Sequence, residues 1–178
     1  MRYKVVNTIH IPGVDFGEKL LGPTGAELIN APGRTEEEII EHAADADAVV
    51  CSGPVQPWTA NVVNSLKRCR IIASLGVGYD RIDLDTATAN GIVVTNVPDY
   101  CIDEVSSHAI ALILAFNRNL FHMDKVVRAQ HVNFVPPRRE TIRTYMEPIY
   151  RSRNQTVGIL GMGKIGTATA LKAKGLSM

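Results

Sequence analysis

The chain has 178 residues, of which 46% are hydrophobic and 21% charged, and its formal net charge is +1. At roughly 150 residues per domain this predicts one globular domain or one and a fraction, and the near-neutral balance excludes an electrostatic footprint for nucleic acid or an acidic membrane surface. Three widely spaced cysteines, Cys51, Cys69 and Cys101, form no C-x-x-C pair and predict small packed thiols in a reducing cytoplasm.

The opening MRYKVVNTIHIPG reads as a strand over 3–9 and lacks the long apolar segment of a signal peptide. A short second strand follows over 26–30. TEEEIIEHAA (35–44) reads as a helix, with Thr35 as its cap and Glu38 reaching back in a T-x-x-E capping box. Glutamates 36–38 in its first turn suit the helix dipole, so they read as a solvated turn rather than a metal cluster. DAVVCS (47–52) is a buried strand, TANVVNSLK a short helix, and RIIASL (70–75) another strand. DLDTATANG gives a two-turn helix between Asp83 as N-cap and Gly91 beyond its end, and IVVTNV (92–97) is a fifth strand. Apolar strands alternating with short helices predict a parallel sheet covered on both faces, a doubly wound α/β domain over 1–100.

Pro98 ends that pattern. DEVSSHAIALILAFNRNLFHMDKVVRAQ predicts one long helix over 103–130, with Val105, Ala109, Leu112, Phe116 and Leu120 on one deeply buried face. Its longest apolar run, AIALILAF, is too short to span a bilayer. Residues 131–155 carry three prolines and many arginines and read as a long connection or arm, and PPRRETIR within it is more in keeping with a solvated or interface loop than a phosphate contact. A strand over 156–160 then enters a glycine-rich turn, and a helix over 167–174 leaves it.

That turn, Gly161-Met162-Gly163-Lys164-Ile165-Gly166, matches G-x-G-x-x-G in the strand–turn–helix context the motif requires. The first glycine permits the turn, the second lets a pyrophosphate approach the backbone, and the third lets helix and strand pack closely. The amides at the helix start then point at phosphate oxygens. The alternative is a plain glycine turn. The acidic ribose ligand expected about 20 residues on falls past Met178, so NAD and NADP both stay open. Gly76-Val77-Gly78 follows the fourth strand and reads equally as an anion-binding nest or a permissive turn. Ser52-Gly53-Pro54 ends the third strand on the same side of the sheet, where an ordinary exit turn is the simpler reading. His10, His42, His122 and His131 show no metal spacing, His108 reads as a partly buried helix histidine rather than a catalytic base, and Cys101 reads as a packed or idle thiol rather than a reactive one.

LGVGYDRIDLDTATANGIVVTNVPDYCIDEVSSHAIALILAFNR (75–118) resembles the D-isomer-specific 2-hydroxyacid dehydrogenases, and EPIYRSRNQTVGILGMGKIGTATALKAKGLSM (147–178) continues the resemblance. It covers nearly the whole chain, loosely before Cys51 and strongly after Ile71. The wording of NVPDYCIDEVSSHA and EPIYRSR is most similar to the phosphoglycerate dehydrogenase-like and C-terminal-binding-protein-like branch.

The resemblance implies a flavodoxin-like substrate domain over 1–100. Over 101–178 it implies a crossover helix, a dimer-forming arm and the beginning of a Rossmann NAD(P)-binding domain. It implies hydride transfer between NAD(H), or NADP(H), and a small 2-hydroxy or 2-oxo acid, in a cytoplasmic homodimer with no nucleic-acid or membrane partner. Gly76, Val77 and Gly78 would hold the substrate carboxylate, and Ser52 and Gly53 would line its pocket. Val105, Ser106 and Ala109 would lie by the nicotinamide. Gly161, Met162, Gly163, Lys164, Ile165 and Gly166 would hold the pyrophosphate, with lysine where the family often has arginine. The family's catalytic arginine, glutamate and histidine have no counterpart in these residues. No catalytic residue is therefore assigned, and the 178 residues alone are expected to be a truncated, inactive portion. Two other readings stay open: an NAD(H)-sensing corepressor-like binding protein, and a stand-alone dimerising module.

Overall fold

Short apolar runs rich in valine and isoleucine make the strands of the first part of the chain. The computed structural model describes residues 2–11, 13–14, 17–130 and 148–178. They form two units, Met1–Tyr100 and Cys101–Met178. Most of the expected arm, including His131 and PPRRETIR, lies outside the described residues.

In the first unit the elements run β1 (Lys4–Asn7), α1 (Glu18–Leu21), β2 (Glu27–Asn30), α2 (Glu36–Ala43), β3 (Ala48–Cys51), α3 (Ala60–Ser65), β4 (Ile71–Ser74), α4 (Leu84–Ala89) and β5 (Val93–Thr95). The five strands are all parallel, in the order β2-β1-β3-β4-β5. That is the doubly wound flavodoxin-like order, with helices joining successive strands. Only α1 and the 3-10 turn that follows it, Gly22–Thr24, depart from the elements read in the sequence, because glycine and proline crowd that stretch.

Register explains the core. Ile29, Val6, Val49, Ile72 and Val94 stand side by side across the sheet. Parallel pairing keeps registered residues on one face, and there Val6, Val49 and Ile72 are buried against Ile39, Ala43, Trp58, Val62 and Val63. Trp58 is the largest of the fully buried side chains. Its backbone joins the loop before α3 to the loop before α4: Trp58 N donates to Arg81 O, and Asp83 N donates to Trp58 O.

The helices begin where short polar side chains satisfy open amides. The Thr35 hydroxyl accepts from Glu38 N, while the Glu38 carboxylate accepts from Thr35 N, so the capping box is complete. Asp83 accepts from Thr86 N at 2.8 Å, and Gly91, with φ of 68°, follows the last turn of α4. Asp47 accepts from Lys4 N at 2.9 Å, and its two carboxylate oxygens accept from Arg68 Nη2 at 2.9 and 3.0 Å.

The second unit departs from expectation in four places. The single helix expected over 103–130 is two, α5 (Ile102–Asn117) and α6 (Leu120–Gln130). Asn119 separates them in the left-handed region at φ 53°, a conformation asparagine tolerates better than branched residues. The apolar face expected to be deeply buried is largely exposed: Leu112 is 50%, Leu120 53% and Phe116 78% accessible. Ser106, Ala115 and Asn117 are the buried residues of α5 instead. Periodicity identifies an apolar face but not what covers it, and here one small-residue helix, α7 (Lys164–Gly175), packs on α5. Finally, residues 156–160 form no strand. A strand needs a hydrogen-bonded neighbour, and the described residues provide none. Helix α7 also starts three residues earlier than expected, so Gly166 lies inside its first turn.

Two outcomes are expected in solution. Thr35→Ala removes one half of the capping box and should lower the stability of the first unit by about 1 kcal/mol, read as a fall in Tm. Asp83 and Asp47 are held below the ordinary aspartate value of 3.8, by the Thr86 and Lys4 backbone amides respectively before any other cause. A depressed carboxyl contributes stability that is complete above its unfolded value and is lost as pH falls through the folded one. Tm should therefore decline as pH drops below about 4, and Asp83→Asn should flatten that decline in a thermal-melt pH series.

Candidate functional site

The parallel order places two loops side by side at the carboxyl ends of β3 and β4. After β3 come Ser52 and Gly53; after β4 come Gly76, Val77 and Gly78. They are in direct contact. The Ser74 hydroxyl accepts from Gly53 N at 3.0 Å and donates to Gly78 O at 3.2 Å. A Cβ on Gly53 would lie 2.6 Å from Gly78 O and 2.7 Å from Ser74 Oγ, so only glycine fits there without displacing backbone. Gly76, at φ 150°, occupies a conformation that side chains rarely adopt.

The loop's carbonyls are all engaged. Gly76 O accepts from Val97 N at 2.8 Å, Val77 O from Asn96 Nδ2 at 2.8 Å, and Gly78 O from Ser74. Of its amides, Gly76 N–H donates to Ser74 O at 3.1 Å, but among the described residues neither Val77 N–H nor Gly78 N–H has an acceptor. Val77 is 38% accessible, so these donors lie on an open loop rather than in the core. Two successive free amides with their carbonyls turned away present partial positive charge to any anion that reaches them.

The neighbouring loop is held by Gln56, which is buried. Gln56 Oε1 accepts from Ser52 N at 2.9 Å and lies 3.1 Å from the Thr8 hydroxyl, and Nε2 donates to Thr8 O at 2.9 Å and also to Gly33 O. One side chain thus ties the ends of β1 and β3 to the turn before α2. A hollow of about 440 Å³ opens there, with Thr8, Gly33, Arg34, Ser52, Val55 and Gln56 among its walls. The strand order reverses between β1 and β3, and such a switch point is where open α/β sheets receive ligands. Nothing in the sequence alone marked Gln56 or Ser74; both are ordinary polar residues whose role depends on which loops the sheet brings together.

In the second unit the glycine turn begins at Gly161, with φ of 94°. A Cβ on Gly166 would collide with Gly161 O and come within 3.1 Å of Gly161 C, so the third glycine is required for the helix to pass so close to the turn. Gly163 is the N-cap of α7, no side chain caps the helix, and no carboxylate lies in its first turn. Met162 and Lys164 are exposed, while Ile165 and Gly166 are half-buried. Thr167 N donates to Gly163 O at 2.9 Å, and the Thr167 hydroxyl donates to Met162 O at 3.2 Å. An uncapped helix start with bare backbone before it fits a diphosphate.

Of the three candidates on α5, Val105 is exposed, Ala109 half-buried and Ser106 buried. The Ser106 hydroxyl donates to Ile102 O at 2.6 Å and accepts from Lys172 Nζ at 2.8 Å. Lys172, on α7, also donates to Asp103 Oδ1 at 2.6 Å, Asp103 O at 3.1 Å and Ser107 Oγ at 2.6 Å. An ammonium has three donors, so these four acceptors share them. This clamp binds the start of α5 to the helix of the glycine turn. The sequence shows Lys172 only as one of two lysines in a last turn.

The remaining candidates keep modest roles. His10, His108 and His122 are exposed, and His42 Nδ1 lies 3.1 Å from Ala31 O. Burial pushes the Cys51 thiol up to about 12 and raises Cys69 as well, so neither is a ready nucleophile. Among the described residues no group of histidine, cysteine and carboxylate side chains could hold a metal ion, and no helix is long and apolar enough to cross a membrane.

Comparison with known proteins gives the family. Residues 9–175 match the family model described as D-isomer specific 2-hydroxyacid dehydrogenase, catalytic domain. A glyoxylate reductase of Pyrococcus furiosus is 37% identical over 144 residues, covering 80% of this chain and 41% of that protein. A D-3-phosphoglycerate dehydrogenase of Archaeoglobus fulgidus is 30% identical over 178 residues, all of this chain and 31% of that one. Among solved structures, the PH0520 protein of Pyrococcus horikoshii superposes with a TM-score of 0.74 at 28% identity, over 99% of this chain and 50% of that chain. A putative D-isomer specific 2-hydroxyacid dehydrogenase of Polaromonas gives 0.78 at 26% identity, over 99% of this chain and 53% of its own. The chain thus spans less than half the length of these two curated relatives. By sequence match and by fold, it belongs to the D-isomer specific 2-hydroxyacid dehydrogenases.

Proposed function

We propose that the protein to which these residues belong interconverts small 2-hydroxy and 2-oxo acids with NAD(H), with NADP(H) as the alternative. The observation that carries this reading is the pair of free amides at Val77 and Gly78 beside carbonyls that are all engaged. A carboxylate supplies the acceptors those amides lack, and charge-assisted hydrogen bonds of this kind are roughly twice as strong as neutral ones. In this reading residues 1–100 form the substrate domain and 101–178 begin the cofactor domain. Gly76, Val77 and Gly78 bind and orient the acid's carboxylate, and Ser52 and Gly53 line its pocket. A side chain longer than that of glyoxylate extends toward the hollow beside Ser52.

The nicotinamide cofactor, when bound, supplies or takes up the hydride. Gly161, Met162, Gly163, Lys164, Ile165 and Gly166 would hold its pyrophosphate through backbone amides and the positive charge of Lys164. Val105, Ser106 and Ala109 would lie along its nicotinamide, on a helix start that Lys172 keeps in place. No residue among 1–178 is assigned to proton transfer. The resemblance to the phosphoglycerate dehydrogenase-like branch favours hydroxypyruvate-type acids, and the glyoxylate reductase relatives favour glyoxylate, so both belong in the same experiment.

A homodimer is favoured by one specific observation. Leu112, Phe116, Leu120 and Phe121 are all at least half exposed on α5 and α6, and an apolar surface of this kind favours association.

Calorimetric titration tests the binding reading. Glyoxylate or hydroxypyruvate should bind the chain saturably, and Gly53→Ala should weaken that binding at least about tenfold, because its Cβ displaces Gly78. Gly166→Val should abolish ADP-ribose binding and leave acid binding intact. Acid binding that is unchanged in Gly53→Ala, or ADP-ribose binding that survives Gly166→Val, would contradict the assignment of the respective loop.

A further inference from the structure

The opposite edge of the first unit's sheet carries a second hollow, of about 360 Å³, lined by Arg2, Tyr3, Asp47, Lys67, Arg68 and Arg70. Because the strands are parallel, the residues just before β1, β3 and β4 gather at one edge, and here they bring four cationic side chains around one carboxylate. That carboxylate is already committed. Asp47 accepts from Lys4 N and from Arg68 Nη2. The side chains of Arg2 and Arg70 make no ion pair or hydrogen bond among the described residues, and Lys67 Nζ donates only to Asn64 O, at 2.9 Å. Asp45, the neighbouring acid, is paired with Lys4.

Asp47, which also attracts Arg70, is the one carboxylate among four cationic side chains, so a clear excess of positive charge faces one concavity in a chain whose net charge is only +1. The mutual repulsion of these cations is relieved by an anion, and concave walls strengthen the attraction. Two guanidinium forks match tetrahedral oxyanions better than a single carboxylate does. The volume lies at the small end of the range for ligand pockets, which suits a compact polyanion rather than a nucleic-acid strand. We propose that this hollow is a binding site for a small phosphate- or diphosphate-bearing ligand, held by Arg2, Lys67 and Arg70. It is separate from the acid-binding loops, which leave the carboxyl ends of the strands. Because the hollow draws on the loops before β1, β3 and β4, occupancy braces the edge of the sheet that the acid-binding loops do not reach.

Inorganic pyrophosphate, titrated at low salt and followed by backbone amide NMR, tests this. The amides of Tyr3, Lys67 and Arg70 should shift together and saturate. The double substitution Arg2→Gln/Arg70→Gln should weaken that event at least tenfold. The control Arg151→Gln/Arg153→Gln removes the same charge from the second unit and should change it less than twofold. Shifts confined to residues 161–166 would mean that only the glycine turn binds, and would overturn the proposal. Equal weakening by both double substitutions would reduce the effect to general charge and would overturn it as well. Glyoxylate added at saturation should leave these shifts unchanged; displacement by glyoxylate would refute a separate site.

Discussion

The first unit turns on a contact between two backbones. Gly53 and Gly78 approach so closely that no side chain fits between them, and the Ser74 hydroxyl bridges them by accepting from one and donating to the other. This contact fixes the direction of the Gly76–Gly78 loop. With Gly78 O turned toward Ser74, Val77 O toward Asn96 and Gly76 O toward Val97, the intervening amides have nowhere internal to donate. Unpaired donors cost free energy in a core but are tolerated on an open loop, where water or a ligand accepts from them. Sheet order, glycine placement and one serine therefore produce a local excess of donors without any charged residue.

The second unit solves a comparable problem with a helix. Gly161 and Gly166 let α7 start against its own turn, and the absence of a side-chain cap leaves first-turn amides available. Lys172 then links that helix to α5 through Asp103, Ser106 and Ser107. The buried residues of the two helices include small ones, Ser106 and Ala115 on α5 and Thr169 and Ala173 on α7, and small side chains allow close approach.

Much of this was legible in the sequence, for local reasons. Thr35 and Glu38 announced a capping box, Asp83 a helix start, and Gly91 a helix end, because each acts within four residues. Alternation of valine-rich runs with short helices announced a parallel sheet. What failed was non-local. The break at Asn119 depends on one left-handed residue inside a helical pattern, and the exposure of Leu112, Phe116 and Leu120 depends on what packs there. The strand expected over 156–160 lacked a ladder partner. Ser74, Gln56, Trp58 and Lys172 carried no signal at all, since each acts on at least one partner 21 to 69 positions away in the chain.

The availability of the Val77 and Gly78 amides is the claim from which the carboxylate site follows. Backbone amide NMR of the chain titrated with oxalate, a dicarboxylate analogue of the oxo acids, measures it most directly. The largest downfield proton shifts should fall on Val77 and Gly78 and should saturate together. Unchanged Val77 and Gly78 resonances at saturating oxalate would contradict the account.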